Sequence, residues 1–274
     1  MSTERTVSAG RARTRDGVEI VYDLYGAKTA SHRIALVHSL AMERGFWADV
    51  AGRLAPSAAV LTYDCRGHGQ SGKPKGPYTV EQFADDLADV MDAIGWKTAA
   101  VAGASMGGCV SLAFAVHHAA RTTGLGLIDT TACYGDDAPK AWAERADSAL
   151  QKGLASLDDF QLTRWFGDAF KAEHPAIVKR ALDVFLANDV PAYAETCRML
   201  GAADLRAKLA AIAAPTRIVV GEEDYATPVK MAEALHAGIK GSSLLVLPKA
   251  RHLTPLEQPD TIARELKTLL GIAG

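Results

Sequence analysis

The sequence predicts an α/β fold, a mostly parallel sheet with helices on both faces and a helical insertion, and three observations carry that expectation. Short apolar runs recur without polar alternation, helical patterns separate them, and one long stretch holds helical patterns alone. The runs lie at 18–24, 34–37, 59–63, 99–102, 125–128, 218–220 and 244–247 and are rich in Val, Ile, Leu and Ala. Unalternating runs suit strands buried on both faces, and helices between them suit parallel pairing.

Helix starts are signed locally. Thr79 and Gln82 have the spacing of a capping box, after which Phe83, Leu87, Val90, Met91 and Ile94 repeat at helical spacing until Gly95 stops the run. Thr227-Pro228 and Thr254-Pro255 each place a hydroxyl before proline, which predicts a capping side chain and a proline at the first helical position. Glu257 completes a second capping box with Thr254. Helices that begin just after strands put their first residues at the carboxyl edge of the sheet, where open α/β folds bind ligands.

From 131 to 209 the pattern is helical without a clear strand, interrupted at Pro139 and at His174-Pro175. The runs on either side read as core strands. The expected organisation is therefore a core formed by 1–130 and 210–274, with 131–209 inserted as a cap. No internal repeat is apparent.

A chain of 274 residues accommodates one such core with its insertion, and 49% hydrophobic with 23% charged residues is ordinary for a globular protein. A formal net charge of −2 offers no electrostatic footprint for a phosphate backbone, so nucleic acid is not an expected partner. The first fifteen residues are polar and basic, without the apolar centre of a secretory signal, and no later stretch approaches the roughly 20 apolar residues that cross a bilayer. The expectation is a cytoplasmic protein with no membrane contact. Cys65, Cys109, Cys133 and Cys197 form no C-x-x-C pair, which argues against a disulfide framework and a zinc site alike.

The chemistry concentrates in Gly103-Ala-Ser105-Met-Gly107, between the run at 99–102 and a helical run from Cys109 to His118. A serine on a tight strand-to-helix turn is pushed toward unfavourable backbone angles, and its neighbours two positions away on either side must be nearly without side chains. Gly103 and Gly107 meet that demand. The turn lifts the hydroxyl clear of the sheet edge and leaves the Met106 N–H facing the same space, at the positive end of a helix. Ser105 is the expected nucleophile, weighed against a serine that merely caps a helix.

A serine hydroxyl needs a base at neutral pH, and an imidazole, titrating near about pH 6.5, is the usual one. Among eight histidines, His252 stands on the loop after the last apolar run. His117 and His118 end the serine's own helix, and His32, His174 and His236 read as surface residues. The base in turn needs an acid to hold its tautomer. Asp224 follows the run at 218–220 and precedes a helix; Asp129, at the end of the strand before, is its rival, with Glu222 and Glu223 behind both. A second donor for a developing oxyanion is expected from the loop 37–41, where the Leu40 N–H is the candidate and His38 reads as a loop-holding side chain. The stretch Tyr63 to Ser71 lacks the lysine-serine ending of a phosphate loop and the ligand spacing of a zinc site, so it reads as a structural turn and no metal is expected.

Taken together, His38-Ser-Leu, Asp64-Cys-Arg-Gly-His-Gly-Gln-Ser71, Ser105-Met-Gly-Gly108, Arg164-Trp-Phe166 and His252-Leu-Thr-Pro-Leu-Glu-Gln-Pro259 resemble the 3-oxoadipate enol-lactonases and similar carboxylesterases of the α/β-hydrolase family. The resemblance runs over nearly the whole chain. It implies the α/β-hydrolase fold with a mostly parallel eight-stranded sheet, a triad of Ser105, Asp224 and His252, and an oxyanion hole made by the Leu40 and Met106 amides. The implied activity is hydrolysis of a small-molecule carboxylic ester or lactone, with no cofactor. Trp142, Trp165, Phe166 and Phe170 are candidates to line the pocket, and Arg44 or Arg164 to pair with a substrate carboxylate. Carbon–carbon bond hydrolysis of a β-dicarbonyl compound is the catalytic alternative, and a ligand-binding protein on the same fold is the non-catalytic one. Dehalogenases and epoxide hydrolases of this fold carry aspartate where Ser105 stands. The sequence sets no oligomeric state.

Overall fold

The protein, seen here as a computed structural model, is described over residues 7–27 and 29–272; the first six residues of the polar leader lie outside the described residues. Its strands are β1 (Val7–Arg13), β2 (Glu19–Tyr25), β3 (Arg33–Val37), β4 (Ala59–Tyr63), β5 (Ala99–Ala104), β6 (Thr122–Ile128), β7 (Thr216–Gly221) and β8 (Ser243–Leu247). They form one sheet in the order β1-β2-β4-β3-β5-β6-β7-β8. β1 and β4 run antiparallel to β2, and every other pairing is parallel. β3 lies between β4 and β5, so the direction of winding reverses there, and a crevice opens beyond the carboxyl ends of these strands.

The helices are α1 (Ala48–Leu54), α2 (Val80–Ala93), α3 (Met106–His117), α4 (Ala138–Lys152), α5 (Asp158–Trp165), α6 (Asp168–Glu173), α7 (Pro175–Leu186), α8 (Val190–Ala202), α9 (Val229–Gly238), α10 (Thr254–Glu257) and α11 (Pro259–Leu269). α2 packs on α3, and α1 on α11. Every residue of β5 is buried, and α3 is buried along almost its whole length. A helix apolar on all sides belongs inside a core, and the alanines of β5 leave room for it. The capping box at α2 forms as expected: Gln82 N–H donates to Thr79 Oγ1 at 3.2 Å, and Thr79 N–H to Gln82 Oε1 at 3.0 Å. Gly95, at φ 76°, ends the run.

Two local expectations fail for one reason. α9 begins at Val229, with no side-chain cap from Thr227, and α10 begins at Thr254 itself. The two hydroxyls are instead donated to buried carboxylates, Thr227 Oγ1 to Asp224 Oδ2 at 2.8 Å and Thr254 Oγ1 to Asp129 Oδ2 at 2.6 Å. Glu257 closes no capping box either, because its carboxylate accepts from the backbone N–H groups of Gly167 and Arg251, each at 2.7 Å.

Between β6 and β7 the chain runs through α4 to α8. α4 packs against α8, and the ends of the segment are tied by a bridge between Cys133 and Asp204, where Leu205 N–H donates to Ala132 O at 2.9 Å. Among the described residues no helix is long and apolar enough to cross a membrane.

Candidate active site

β5 ends at Ala104 and α3 starts at Met106, so Ser105 is a one-residue corner. Its φ of 53° and ψ of −117° are strained for a residue with a side chain. The corner closes only because of glycine: a Cβ on Gly103 would stand 2.0 Å from Gly107 O, and one on Gly107 would stand 2.1 Å from Val37 O. The steric demand read from the sequence is met here by backbone packed directly on backbone.

The corner points Ser105 Oγ at His252, which arrives on the loop between β8 and α10. Ser105 Oγ donates to His252 Nε2 at 2.8 Å, and His252 Nδ1 donates to Asp224 Oδ2 at 2.8 Å. All three residues are buried. Asp224 is held in turn by the N–H groups of Ala226 and Thr227, both at 2.8 Å, and by the Thr227 hydroxyl. Burial alone would raise the Asp224 carboxyl; the adjoining His252 ring and the Thr227 bonds outweigh it and hold the group below its ordinary value.

Asp129, the rival acid, is buried nearby but bonds elsewhere. Its Oδ1 accepts from Gly221 N–H at 3.1 Å, and its Oδ2 from both the N–H and the hydroxyl of Thr254. It joins the end of β7 to the residue two places after His252. Burial, and secondarily the charge of Asp224, pushes its carboxyl well above the ordinary range.

Ser105 and His252 open into a cavity of about 470 Å³ whose wall also includes Leu40, Trp142, Arg164 and Trp165. Leu40 follows β3, and the Met106 N–H is the first of α3, ahead of any carbonyl its own helix supplies. Arg44 does not line the cavity: its guanidinium donates to Asp64 Oδ2 at 2.7 Å and to Asp23 Oδ2 at 3.0 Å, so ion pairs at the carboxyl end of β4 consume it. Phe166 and Phe170 stack on each other, centroids 5.4 Å apart, and do not line it either.

Sequence reasoning missed Arg145 and Tyr134, both in the cavity wall. The Arg145 guanidinium lies 4.8 Å from the Trp142 ring and 5.5 Å from the Phe160 ring, and donates to Tyr193 Oη at 2.7 Å. The Arg164 guanidinium lies over the same Phe160 ring, 4.2 Å from its centroid. Neither arginine forms an ion pair among the described residues. Burial, and then the neighbouring positive charge of Arg145, lowers the Arg164 pKa. The buried Tyr134 hydroxyl lies beside Ser105 and Cys109 but closes no hydrogen bond of good geometry among the described residues, and its ring is edge-on to Trp142 at 5.0 Å. On α4, Arg145 is one of several charged residues, and nothing in its spacing marks it from those that face water.

A sheet of this order, with a hydroxyl, an imidazole and a carboxylate aligned at its carboxyl edge, defines the class of α/β hydrolases. The chain belongs to the alpha/beta hydrolase family, whose sequence profile matches residues 34–265. It is similar to 3-oxoadipate enol-lactonase 1 of Acinetobacter baylyi, with 31% identity over 247 residues, 90% of this chain and 91% of that one. A solved enol-lactonase from Burkholderia xenovorans LB400 superposes with a TM-score of 0.91 at 32% identity, covering 96% of this chain and 100% of the other. A thermophilic esterase from Thermogutta terrifontis, solved with malate bound, gives a TM-score of 0.90 at 27% identity, covering 96% of this chain and 98% of the other.

Proposed function

We propose that this chain is a serine hydrolase that cleaves a carboxylic ester or lactone through an acyl-enzyme. Ser105 is the nucleophile, His252 the base and then the acid, and Asp224 the group that orients and balances the imidazole. The observation that carries this reading is the unbroken line of two 2.8 Å hydrogen bonds from Ser105 Oγ through the ring to Asp224.

In the proposed cycle Ser105 Oγ attacks the carbonyl carbon while His252 Nε2 takes its proton. The carbonyl oxygen becomes an oxyanion, received by the Leu40 and Met106 N–H groups, each such donor being worth about 3 kcal/mol of transition-state stabilisation. His252 returns the proton to the leaving oxygen, and water, activated by the same ring, releases the acid. In a lactone the leaving oxygen stays tethered to the acyl chain throughout, so the second step releases a single hydroxy or keto acid.

The segment 131–209 is the cap in this reading, its α4 and α5 roofing the nucleophile. Trp142 and Trp165 supply apolar wall, while Arg145 and Arg164, cations without a carboxylate of their own, suit a substrate carrying a carboxylate away from its scissile bond. The enol-lactonase relatives, and the malate in the esterase structure, agree with a small acidic substrate.

The test is labelling and turnover. A fluorophosphonate should modify Ser105, and p-nitrophenyl butyrate should release p-nitrophenolate. Ser105→Ala should lose both, with kcat down on the order of 10⁶-fold. Failure of the wild type to be labelled would overturn the assignment. A panel including β-diketones distinguishes the bond cleaved: turnover of diketones above that of esters and lactones would move the reading to carbon–carbon hydrolysis.

A further inference from the structure

We infer that His38 is a positioning residue that sets the direction of the Leu40 N–H by gripping the other end of the same peptide group. The inference rests on the proposed role of Leu40 as an oxyanion donor and assigns the part that holds it.

His38 is wholly buried. Its Nε2 lies 3.0 Å from the Cys65 backbone nitrogen, and a backbone N–H can only donate, so Nε2 is the unprotonated nitrogen of a neutral ring. The ring proton is therefore on Nδ1, which donates to the carbonyl oxygen of Ser39 at 2.8 Å. Burial favours the neutral ring, lowering its pKa. A trans peptide is planar, and its C=O and N–H point in opposite directions. Fixing Ser39 C=O thus fixes the N–H of Leu40, and Ser39 and Leu40 both line the cavity beside Ser105.

The surroundings explain why a grip is needed. Ala41, the next residue, is held at a φ of 58°, a strained conformation for a non-glycine residue. The Met42 N–H reaches the same Ser39 carbonyl at 3.1 Å, but it follows the strained residue and moves with it. The ring instead ties the peptide to a second strand end. Cys65 follows Asp64, whose carboxylate accepts from the Arg44 and Gln70 N–H groups at 2.7 and 2.8 Å. The connection runs from the carboxyl end of β4, through Cys65 N–H and the imidazole, to the Ser39 carbonyl and out at the Leu40 N–H.

Two variants of the full chain separate this role from simple core filling. His38→Phe keeps the ring and loses both hydrogen bonds. His38→Asn places an amide N–H close to where Nδ1–H stood and can still hold Ser39 O. With p-nitrophenyl butyrate, kcat of His38→Phe should fall about 10²- to 10³-fold, the loss typical of one oxyanion donor, with KM nearly unchanged. Its affinity for a trifluoromethyl ketone, whose adduct with the serine carries the oxyanion, should fall by the same factor, and His38→Asn should recover most of both. If His38→Phe does not fold, His38→Gln, whose longer amide reaches the Cys65 end of the site, replaces it in the contrast with Asn. Wild-type kcat and inhibitor affinity in a folded His38→Phe, or an Asn variant as impaired as Phe or Gln, would overturn the inference. The long-range 1H–15N spectrum of the wild type reads the ring directly, and a proton on Nε2 of His38 would overturn it as well. That spectrum stands apart from turnover, so a wild type that cleaves no ester or lactone defeats the reading of Ser105 while the tautomer still judges the grip on Ser39.

Discussion

Asp224 and Asp129 are buried in the same region and differ in what they touch, which makes their substitutions separable. Asp224→Asn leaves its shape in place but offers His252 the wrong tautomer, and kcat should fall about 10⁴-fold with little change in the melting temperature. Asp129→Asn turns an N–H₂ toward backbone donors of Gly221 or Thr254; stability should fall by about 1–3 kcal/mol in denaturant titration, with kcat of the folded enzyme within roughly tenfold of wild type. The opposite pattern in the two variants would exchange their roles. Arg145→Met and Arg164→Met should each raise KM for the monoester of a dicarboxylic acid by about 10- to 100-fold, the value of a charged hydrogen bond, and leave a neutral ester unaffected. At this scale the Ser105–His252 pair was legible because a strained corner restricts its neighbours to glycine and because chain order singles out one of the eight histidines. Arg145 was not, since its distinction is the company of Trp142, Phe160 and Tyr193, which only the folded chain assembles.

Elements were legible where their signals are local. The capping box of α2 needs only four consecutive residues, and Thr79→Ala should cost about 1 kcal/mol of stability while ester hydrolysis stays at the wild-type rate. A loss of activity in that folded variant would mean that α2 reaches the site. Thr227 and Thr254 carry an equally good local signal, yet their hydroxyls meet charged acceptors, and a bond to a carboxylate outcompetes a neutral cap. β1 escaped notice because it is an edge strand with an alternating, mostly exposed face, so it has no apolar run to show. The core strands β3 and β5, buried almost throughout, were readable for the opposite reason.

Over the whole molecule, acid should act on the buried histidines as well as on the carboxylates. His68 is fully buried, and burial, followed by its neighbour His38, pushes its pKa down from 6.5 to about 3. Unfolded chains bind that proton below pH 6.5 while the folded protein refuses it until about pH 3, so this stabilising contribution is complete above pH 6.5 and drains away as pH falls through that window. Stability of the wild type should therefore fall with acid more steeply than that of His68→Asn, by about 1.4 kcal/mol per pH unit, in urea titrations across the window. Parallel slopes would mean the ring is protonated in the native state. The mostly parallel sheet and the helical excursion after β6 were legible from the spacing of apolar runs, whereas the strand order and how that excursion sits on the core depend on contacts far apart in sequence. One such set is the seam at Arg251 and Glu257: the guanidinium donates to Thr163 O at 3.0 Å and Phe166 O at 2.9 Å, the carboxylate to which Gly167 N–H donates comes from α10, and Leu253 N–H reaches Trp165 O at 3.1 Å. The roof over Ser105 and the arm carrying the His252 imidazole are thus riveted together at the α5 end. Grafting a relative's roof onto this scaffold would need to bring that arm along, and an engineered opening wide enough for bulky acids would have to be cut on the α4 side, where the imidazole is not carried with it.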